Sequence, residues 1–458
     1  MDQIASPRRT LIERELSRVD GACPGQGKPL SKHRKMAANP FRFLRGAAQI
    51  YYADLKSGVL SLPAGLCESV RTTAILGDCH MANFGFVTEK GSHGGNIIFT
   101  PNDFDDACIG HAAWDLTRFA TSIFLAADFS RGILEGRYRS DEIDDPAGLS
   151  APTDEEAREA ARAFLKRYRK ACESIVKDPL NRTKVVGDFR KGHVLYGALK
   201  KARRRSIGGK DFEEKSTLGK AVEIGPKGPR FRRRPDRFKR LNAATVRSIK
   251  SAFRPYVDDA ILDIVARLGA GTGSVNINRY YLLVGPEDSA TVDDLALCHL
   301  VEVKQQREAA PLHAFPDIDP QNTLNPAHLT IDIQRLVQRE PDLLLDEVDW
   351  KGAHWIVRSR HHARVDMDPE EICLSDGKSG RRLKQYAQAC GEVLALVHSR
   401  GDRRSVRFET SIAKTLKECG DELIAAAETY AVQTAEDWRT LNLMLQETSG
   451  DRENGFMG

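Results

Sequence analysis

Two short segments, "GDCHMANFGF" at 77–86 and "NDFDDACIGHAAWDL" at 102–116, gather Asp78, His80, Asn83, Asp103, Asp105, Asp106 and Asp115 among small and apolar residues. Each follows a run with strand character, "AIL" before the first and "NIIFT" before the second. Two strands that end in carboxylates only 25 positions apart, at 78 and 103, constrain the fold, because both acidic loops then address one place. Asp and Asn are also common turn residues, and Asp105 or Asp106 could serve as a helix cap. It is the pairing of two such loops, each directly after a strand, that points to chemistry.

The spacing Asp-x-x-x-x-Asn from Asp78 to Asn83 sets a carboxylate that can accept a proton ahead of an amide carbonyl that can turn back onto a divalent cation. The carboxylates of "NDFDD" would meet the same cation. Magnesium suits such hard oxygen ligands and leaves room for phosphate oxygens and water. These are the parts needed to orient a phosphoryl group in flight and to neutralise its charge. His80 fits a metal ligand or, in the commoner use, a residue that braces a loop by hydrogen bonding. Asp115, within "WDLTRF", fits a supporting role, binding backbone in the acidic loop.

Further along, "GTGSVNINRYYLLVG" puts Gly271, Gly273 and Ser274 in a turn before a strand, where backbone N–H groups can approach phosphate oxygens. About thirty residues on, "LVEVK" sets Lys304 near the end of a strand. A lysine there can reach the α- and β-phosphates of a nucleotide, although a strand-end surface charge is the plainer use. "VDDAILDIVARLGAGTG" reads as a helix running into the glycine turn, and "AHLTIDIQRLVQ" and "RRLKQYAQACGEVLALVHSRGD" read as helices. Thr153 and Glu156 form a capping-box signature opening another helix.

Bulk properties narrow the class. The 458 residues, 41% of them hydrophobic, suit one large two-lobed domain or two to three modules. No run of about 18 apolar residues occurs, so no membrane span is expected. Nine cysteines lie scattered without CxxC pairs and read as reduced thiols in the cytoplasm. The net charge of +5 is modest, and basicity is local, in "KKARRRSIGGK" from Lys200 and "GPKGPRFRRRPDRFKR" from Gly225. Such a stretch is either a solvated face or a surface for an anionic partner. Few aromatics interleave with it, which argues against a dedicated nucleic-acid surface.

Several strings, "KMAANPFRFLRGAA", "GDCHMANFG", "NDFDDACIGHAAWDLTRF", "GTGSVNINRYYLLV", "VEVKQ" and "LALVHSRGD", resemble the uncharacterised bacterial family called domain of unknown function 2252 over roughly residues 30 to 440. More distantly, "GDCHMANFGF…NDFDDACIGHAAWDL" is similar to the active-site stretch of aminoglycoside phosphotransferases and other kinase-like enzymes. That resemblance implies Asp78 as catalytic base, Asn83 and Asp103 as magnesium ligands, and Asp115 as their structural partner. Asp105 follows as a weaker metal candidate through its proximity to Asp103. Gly271, Gly273, Ser274 and Lys304 resemble the nucleotide-binding lobe. It implies an α+β, bilobed protein kinase-like fold with a helix-rich large lobe and a small antiparallel-sheet lobe. The motif order implies circular permutation, since the catalytic loop precedes the glycine loop and "CGEVLALVHSRGD" resembles the helix that leads into a catalytic loop. No glutamate is evident to pair with Lys304. Glu308 is close in sequence, and "AHLTIDIQRLVQ" offers Asp332 and Gln334.

The expected organisation is 1–199 as the first part of the large lobe, 200–245 as a basic insertion or mobile segment, 246–365 as the small nucleotide-binding lobe, and 366–458 as the rest of the large lobe. The expected activity is ATP- and magnesium-dependent phosphotransfer to a small-molecule or protein hydroxyl, with adenylyl transfer as a variant. A metal-dependent hydrolase and a non-catalytic nucleotide or nucleic-acid binding protein are the competing readings.

Overall fold

Strand-forming runs in the first 110 residues make two small sheets. In the computed structural model, which describes residues 6–26, 29–226, 228–269, 277–289 and 291–454, these strands are β1 (Thr73–Ile75), β2 (Phe84–Thr88), β3 (Ile97–Pro101) and β4 (Cys108–Gly110). β2 and β3 form an antiparallel hairpin in which Phe84 lies opposite Pro101. β1 pairs antiparallel with β4, Ile75 opposite Cys108. These registers decide where the acidic loops go. Asn83 immediately precedes β2 and Asn102 immediately follows β3, so the two loops leave the hairpin side by side.

A helical body surrounds them. The Ala112–Leu134 helix is buried along almost its whole length, as the apolar run "AAWDLTRFATSIFLAA" requires. Against it pack the Asp154–Lys177 and Arg407–Asn454 helices, and the Ser379–Arg400 helix packs on Asp154–Lys177 in turn. The capping box at the start of the Asp154–Lys177 helix is present: the Thr153 side chain accepts from the Glu156 N–H, and the Glu156 carboxylate from the Thr153 N–H. Phe119 and Phe164 stack at 4.3 Å between helices, and Phe84 meets Phe119 edge to face at 5.4 Å. Fully buried side chains of this kind stabilise by about 1.5–3 kcal/mol each, so the floor under the acidic loops is stiff. All nine cysteines are free. Among the described residues, no helix is long and apolar enough to cross a membrane.

The second body is a six-stranded antiparallel sheet. A hairpin of β5 (Val222–Gly225) and β6 (Gly228–Phe231) precedes it. Its strands are β7 (Phe238–Arg240), β8 (Ile261–Arg267), β9 (Arg279–Val284), β10 (His299–Gln305), β11 (Asp346–Trp350) and β12 (Ala353–Ser359). Their spatial order is β11-β12-β10-β9-β8-β7, and the Pro326–Val337 helix falls between β10 and β11 in the chain. A final short strand, β13 (Val365–Asp366), returns to the hairpin and pairs with β2. The fold is therefore α+β, with helices and antiparallel sheets segregated.

The expected helix over "DDAILDIVAR" is instead strand β8. Its apolar spacing fits both periods. The β-branched Ile261, Ile264 and Val265 pack better on a pleated surface, and β8 has hydrogen-bonded partners on both sides, β7 and β9. The basic stretch 200–245 carries regular structure. Phe212, Leu218, Val222 and Phe231 bury themselves against Tyr281, Leu283 and Leu300 of the sheet. On the other sheet face, Val301, Val303 and Val357 pack on Ile249 and Phe253 of the Ala243–Phe253 helix.

Candidate functional site

Alternation along β10 sends Val301 and Val303 into one core and leaves Leu300, Glu302 and Lys304 on the opposite face. That face meets the acidic loops. The Lys304 Nζ makes a close ion pair with Asp105 Oδ2, although the two residues are 199 positions apart. Gln306 donates through Nε2 to the Asp105 carbonyl at 2.6 Å and to Thr330 Oγ1, on the Pro326–Val337 helix, at 3.0 Å. Burial pulls the Lys304 ammonium down to about 7, opposed by the Asp103 carboxylate.

The loop carrying Asp78 is held from below. Asp115 is completely buried and accepts from the Leu76 N–H at 2.7 Å and the Gly77 N–H at 3.1 Å. His398 donates from Nε2 to the same carboxylate at 3.1 Å and accepts at Nδ1 from Tyr168 Oη at 2.8 Å. Gly77 adopts φ +74°, and a Cβ there would stand 1.9 Å from the Asp106 carbonyl oxygen. Only glycine fits this turn. Tyr52 Oη donates to the Gly77 carbonyl at 2.6 Å. Asp78 then projects its carboxylate toward Arg118, whose Nε donates to Oδ1 at 2.9 Å. Burial pushes the Asp78 carboxyl up to about 6, against the pull of Arg118 and with a further push from Asp106 and Asp103. A carboxyl tuned toward neutrality is suited to proton transfer.

Asn83 donates from Nδ2 to the Asp78 carbonyl at 2.8 Å, and its backbone carbonyl accepts from the Asn102 N–H at 3.0 Å. These bonds tie the Asp78 loop to the Asp103 loop. Asp103 Oδ1 accepts from the Asp105 N–H at 3.3 Å. His80 lies with Nε2 3.7 Å from Asp78 Oδ2; burial, then Arg45 and Arg118, hold it well below its ordinary value, so the ring is neutral. Asp106 accepts at Oδ1 from the Ala310 N–H, 2.8 Å away, and so serves the start of the Ala310–Ala314 helix.

The structure brings Asp78, Asn83, Asp103, Asp105, Asp115, His80 and Lys304 into one neighbourhood. Gly271, Gly273 and Ser274 lie in sequence between β8 and β9 and outside the described residues. The side chains weighed as partners for Lys304 are engaged elsewhere. Glu308 pairs with His313, Asp332 with His328, and Gln334 donates to Gln338. The acidic partner comes instead from the loop, as Asp105.

Sequence reasoning overlooked three features. Arg118 lies three residues past Asp115 on one helix face, a spacing that could have flagged it. His398 is named only by its tertiary contact. The third is a charged wall beside Lys304. Glu302 is fully buried and faces Arg279 at 3.1 Å, Arg358 at 2.8 Å and Arg360 at 3.7 Å. Burial works to raise its carboxyl, yet the three arginines together hold it well below the usual carboxylate range.

The family model described as an uncharacterized protein conserved in bacteria (DUF2252) matches residues 29–135 and 147–443. The chain belongs to this family. Both acidic loops, β10 and all but the end of the helical body fall within the matched residues. No curated protein and no solved structure matches the chain.

The oxygen donors fit a hard cation. Asn83 spends its amide N–H on Asp78 and keeps its Oδ1 uncommitted among the described residues. Asp105 Oδ1 is buried without a hydrogen-bond donor. Two or three such oxygens match magnesium, which retains several waters and takes further oxygens from phosphate. Among the described residues, the trio of His and Asp side chains close enough to share a metal, with ligand atoms within 4.8 Å of one another, is elsewhere, at His93, Asp258 and His299. His299 begins β10, five positions before Lys304 and so roughly 17 Å along the strand.

Proposed function

We propose that this protein is an ATP- and magnesium-dependent phosphotransferase of kinase-like, circularly permuted architecture, acting on the hydroxyl of a small molecule or a protein side chain. The observation that carries the reading is the contact of Lys304 with Asp105, which sets a strand lysine against the two acidic loops. The sheet order lends support. β8, β9 and β10 form a meander, Lys304 sits on the third strand, and a helix separates it from the β11–β12 hairpin, the arrangement in which kinases hold their phosphate-binding lysine.

In this reading Asn83 and Asp103 hold magnesium, with Asp105 beside them. The bound cation supplies neutralisation of phosphate charge. Lys304 faces phosphate oxygens and exchanges its bond with Asp105 for them. Asp78 takes the proton of the acceptor hydroxyl as that oxygen bonds to phosphorus and the bond to the leaving ADP breaks. Asp115 acts through the backbone as a positioning residue.

A second reading, adenylyl transfer, is favoured by the wall of Arg279, Arg358 and Arg360 beside Lys304, which lines the sheet face with cations rather than an apolar slot for a base.

Calorimetry of the purified chain with a non-hydrolysable ATP analogue tests the shared premise. Binding should require magnesium and be lost in Asp103→Ala. Binding that ignores both would overturn the premise. Release of ADP or of pyrophosphate from labelled ATP then separates the two transfers.

A further inference from the structure

Nine Lys and Arg side chains and two carboxylates line one cavity of about 310 Å³ between the basic 200–245 stretch and the six-stranded sheet. Lys201 and Arg205 come from the Tyr196–Arg205 helix, Lys220 from Thr217–Ala221, and Arg237 from the approach to β7. Arg267 comes from β8, and Arg360 and Arg364 from the connection between β12 and β13. Cations from so many separate elements do not meet by chance of sequence. Nine positive charges against two negative leave a formal excess of seven.

Local pairing does not discharge this excess. Arg364 is held by Asp366 at 2.8 Å, Arg234 and Arg237 share Asp236 at 3.4 and 3.6 Å, Lys215 faces Asp211 at 3.8 Å, and Arg360 faces Glu302 at 3.7 Å. Lys201, Arg205, Lys220 and Arg267 have no ion-pair partner among the described residues. In Arg205 and in Arg360 the Nε is buried with no hydrogen-bond acceptor. A buried donor left empty costs about 1–3 kcal/mol, which an arriving acceptor would recover. Partial burial lowers the Lys220 ammonium, and Arg205, Lys201 and Arg237 lower it further. A face charged only for solubility would disperse these groups over a convex surface and mix their signs. Here they converge in a concavity of the size small ligands occupy.

We infer that this cavity is a binding site for a compact ligand carrying two or more phosphate groups. Guanidinium forks match phosphate oxygens in pairs, and several cations in one small cavity select a multiply charged group over a lone carboxylate. Apolar lining is confined to a few side chains such as Tyr281, Leu300 and Val365. The ligand is therefore recognised by its phosphates. The site uses none of Asp78, Asn83, Asp103 or Lys304 and stands without the phosphotransfer reading. It nonetheless borders that region, because Asp366 on its rim accepts from Asn102 Nδ2 at 2.7 Å, next to Asp103.

The test is a pair of titrations on the full chain and on the double variant Lys220→Ala/Arg237→Ala, whose altered side chains are solvent-exposed. Tripolyphosphate without magnesium should bind the parent chain at one site and bind the double variant at least about tenfold more weakly. The magnesium–ATP analogue should bind both alike. Absence of saturable tripolyphosphate binding overturns the proposal, as does equal binding by the two proteins. Loss of both ligands in the double variant also overturns it, since the cavity would then be part of the nucleotide site. A short oligothymidylate that binds and resists displacement by tripolyphosphate would assign the surface to nucleic acid instead. Tripolyphosphate binding without nucleotide binding would leave this site standing and remove the phosphotransfer reading alone.

Discussion

Lys304 and Asp105 come from distant parts of the chain, and their side chains close on each other where the six-stranded sheet meets the acidic loops. The lysine side chain is 1% exposed and the aspartate 15%, so neither charge is well served by water. Removing one partner of a buried pair costs up to about 3 kcal/mol, an upper bound for loss of Lys304 because Arg358 Nη2 stays 3.9 Å from Asp105 Oδ1. Lys304→Met should lose stability up to this bound in urea unfolding, and Lys304→Met/Asp105→Asn should recover a substantial part. Equal losses in the single and double variants would mean that the pair does not join the two bodies.

Asp78 should titrate near pH 6 rather than near 3.8. The sign follows from burial. The folded state holds the proton more tightly than the unfolded chain, so the stabilisation from protonated Asp78 is present below about pH 4 and is lost as pH rises through about 6. Function as a base is confined to pH above that midpoint. Carbon-detected NMR of the labelled carboxyl reads the value directly. Arg118→Met should move it upward, because the guanidinium holds it down. A midpoint in the ordinary carboxylate range would refute the assignment of Asp78 as a tuned base.

Asp115 secures the base through the backbone. Its carboxylate accepts from two amides and from His398, all buried. Asp115→Ala strands three donors and should destabilise by about 3–5 kcal/mol. Amide exchange at Leu76 and Gly77 should accelerate more than exchange in the distant β11–β12 hairpin. Uniform acceleration would reduce Asp115 to a general core residue.

Gly77 admits no side chain. Gly77→Ala would force a methyl into the Asp106 carbonyl and hold alanine at φ +74°. A loss of about 2 kcal/mol or more is expected, together with weaker magnesium–nucleotide binding. A neutral Gly77→Ala would mean that the two acidic loops separate freely.

The local pattern carried much of this architecture. Short apolar runs before Asp78 and Asp103 marked strands ending in acidic loops, and β1 and β3 lie there. The long apolar run after Asp115 marked a buried helix. Thr153 and Glu156 marked a helix start that the structure has in full. Periodicity failed at β8, where seven residues satisfy both helix and strand spacing and only lateral pairing with β7 and β9 separates the two. It also failed to find a partner for Lys304. Candidates near it in sequence were engaged locally, and the acid that reached it came from 199 positions away.

By itself, the order of residues determined which segments turn, which bury and which side chains stand at strand ends, because these follow from spacing along one chain. Only the tertiary structure decided who faces whom. Arg118 meets Asp78, His398 meets Asp115, and the arginines around Glu302 gather from two strands, β9 and β12, and the connection beyond β12. Such pairings depend on register between elements and on the desolvation that forces buried charges to find partners, and neither quantity is written in the local pattern.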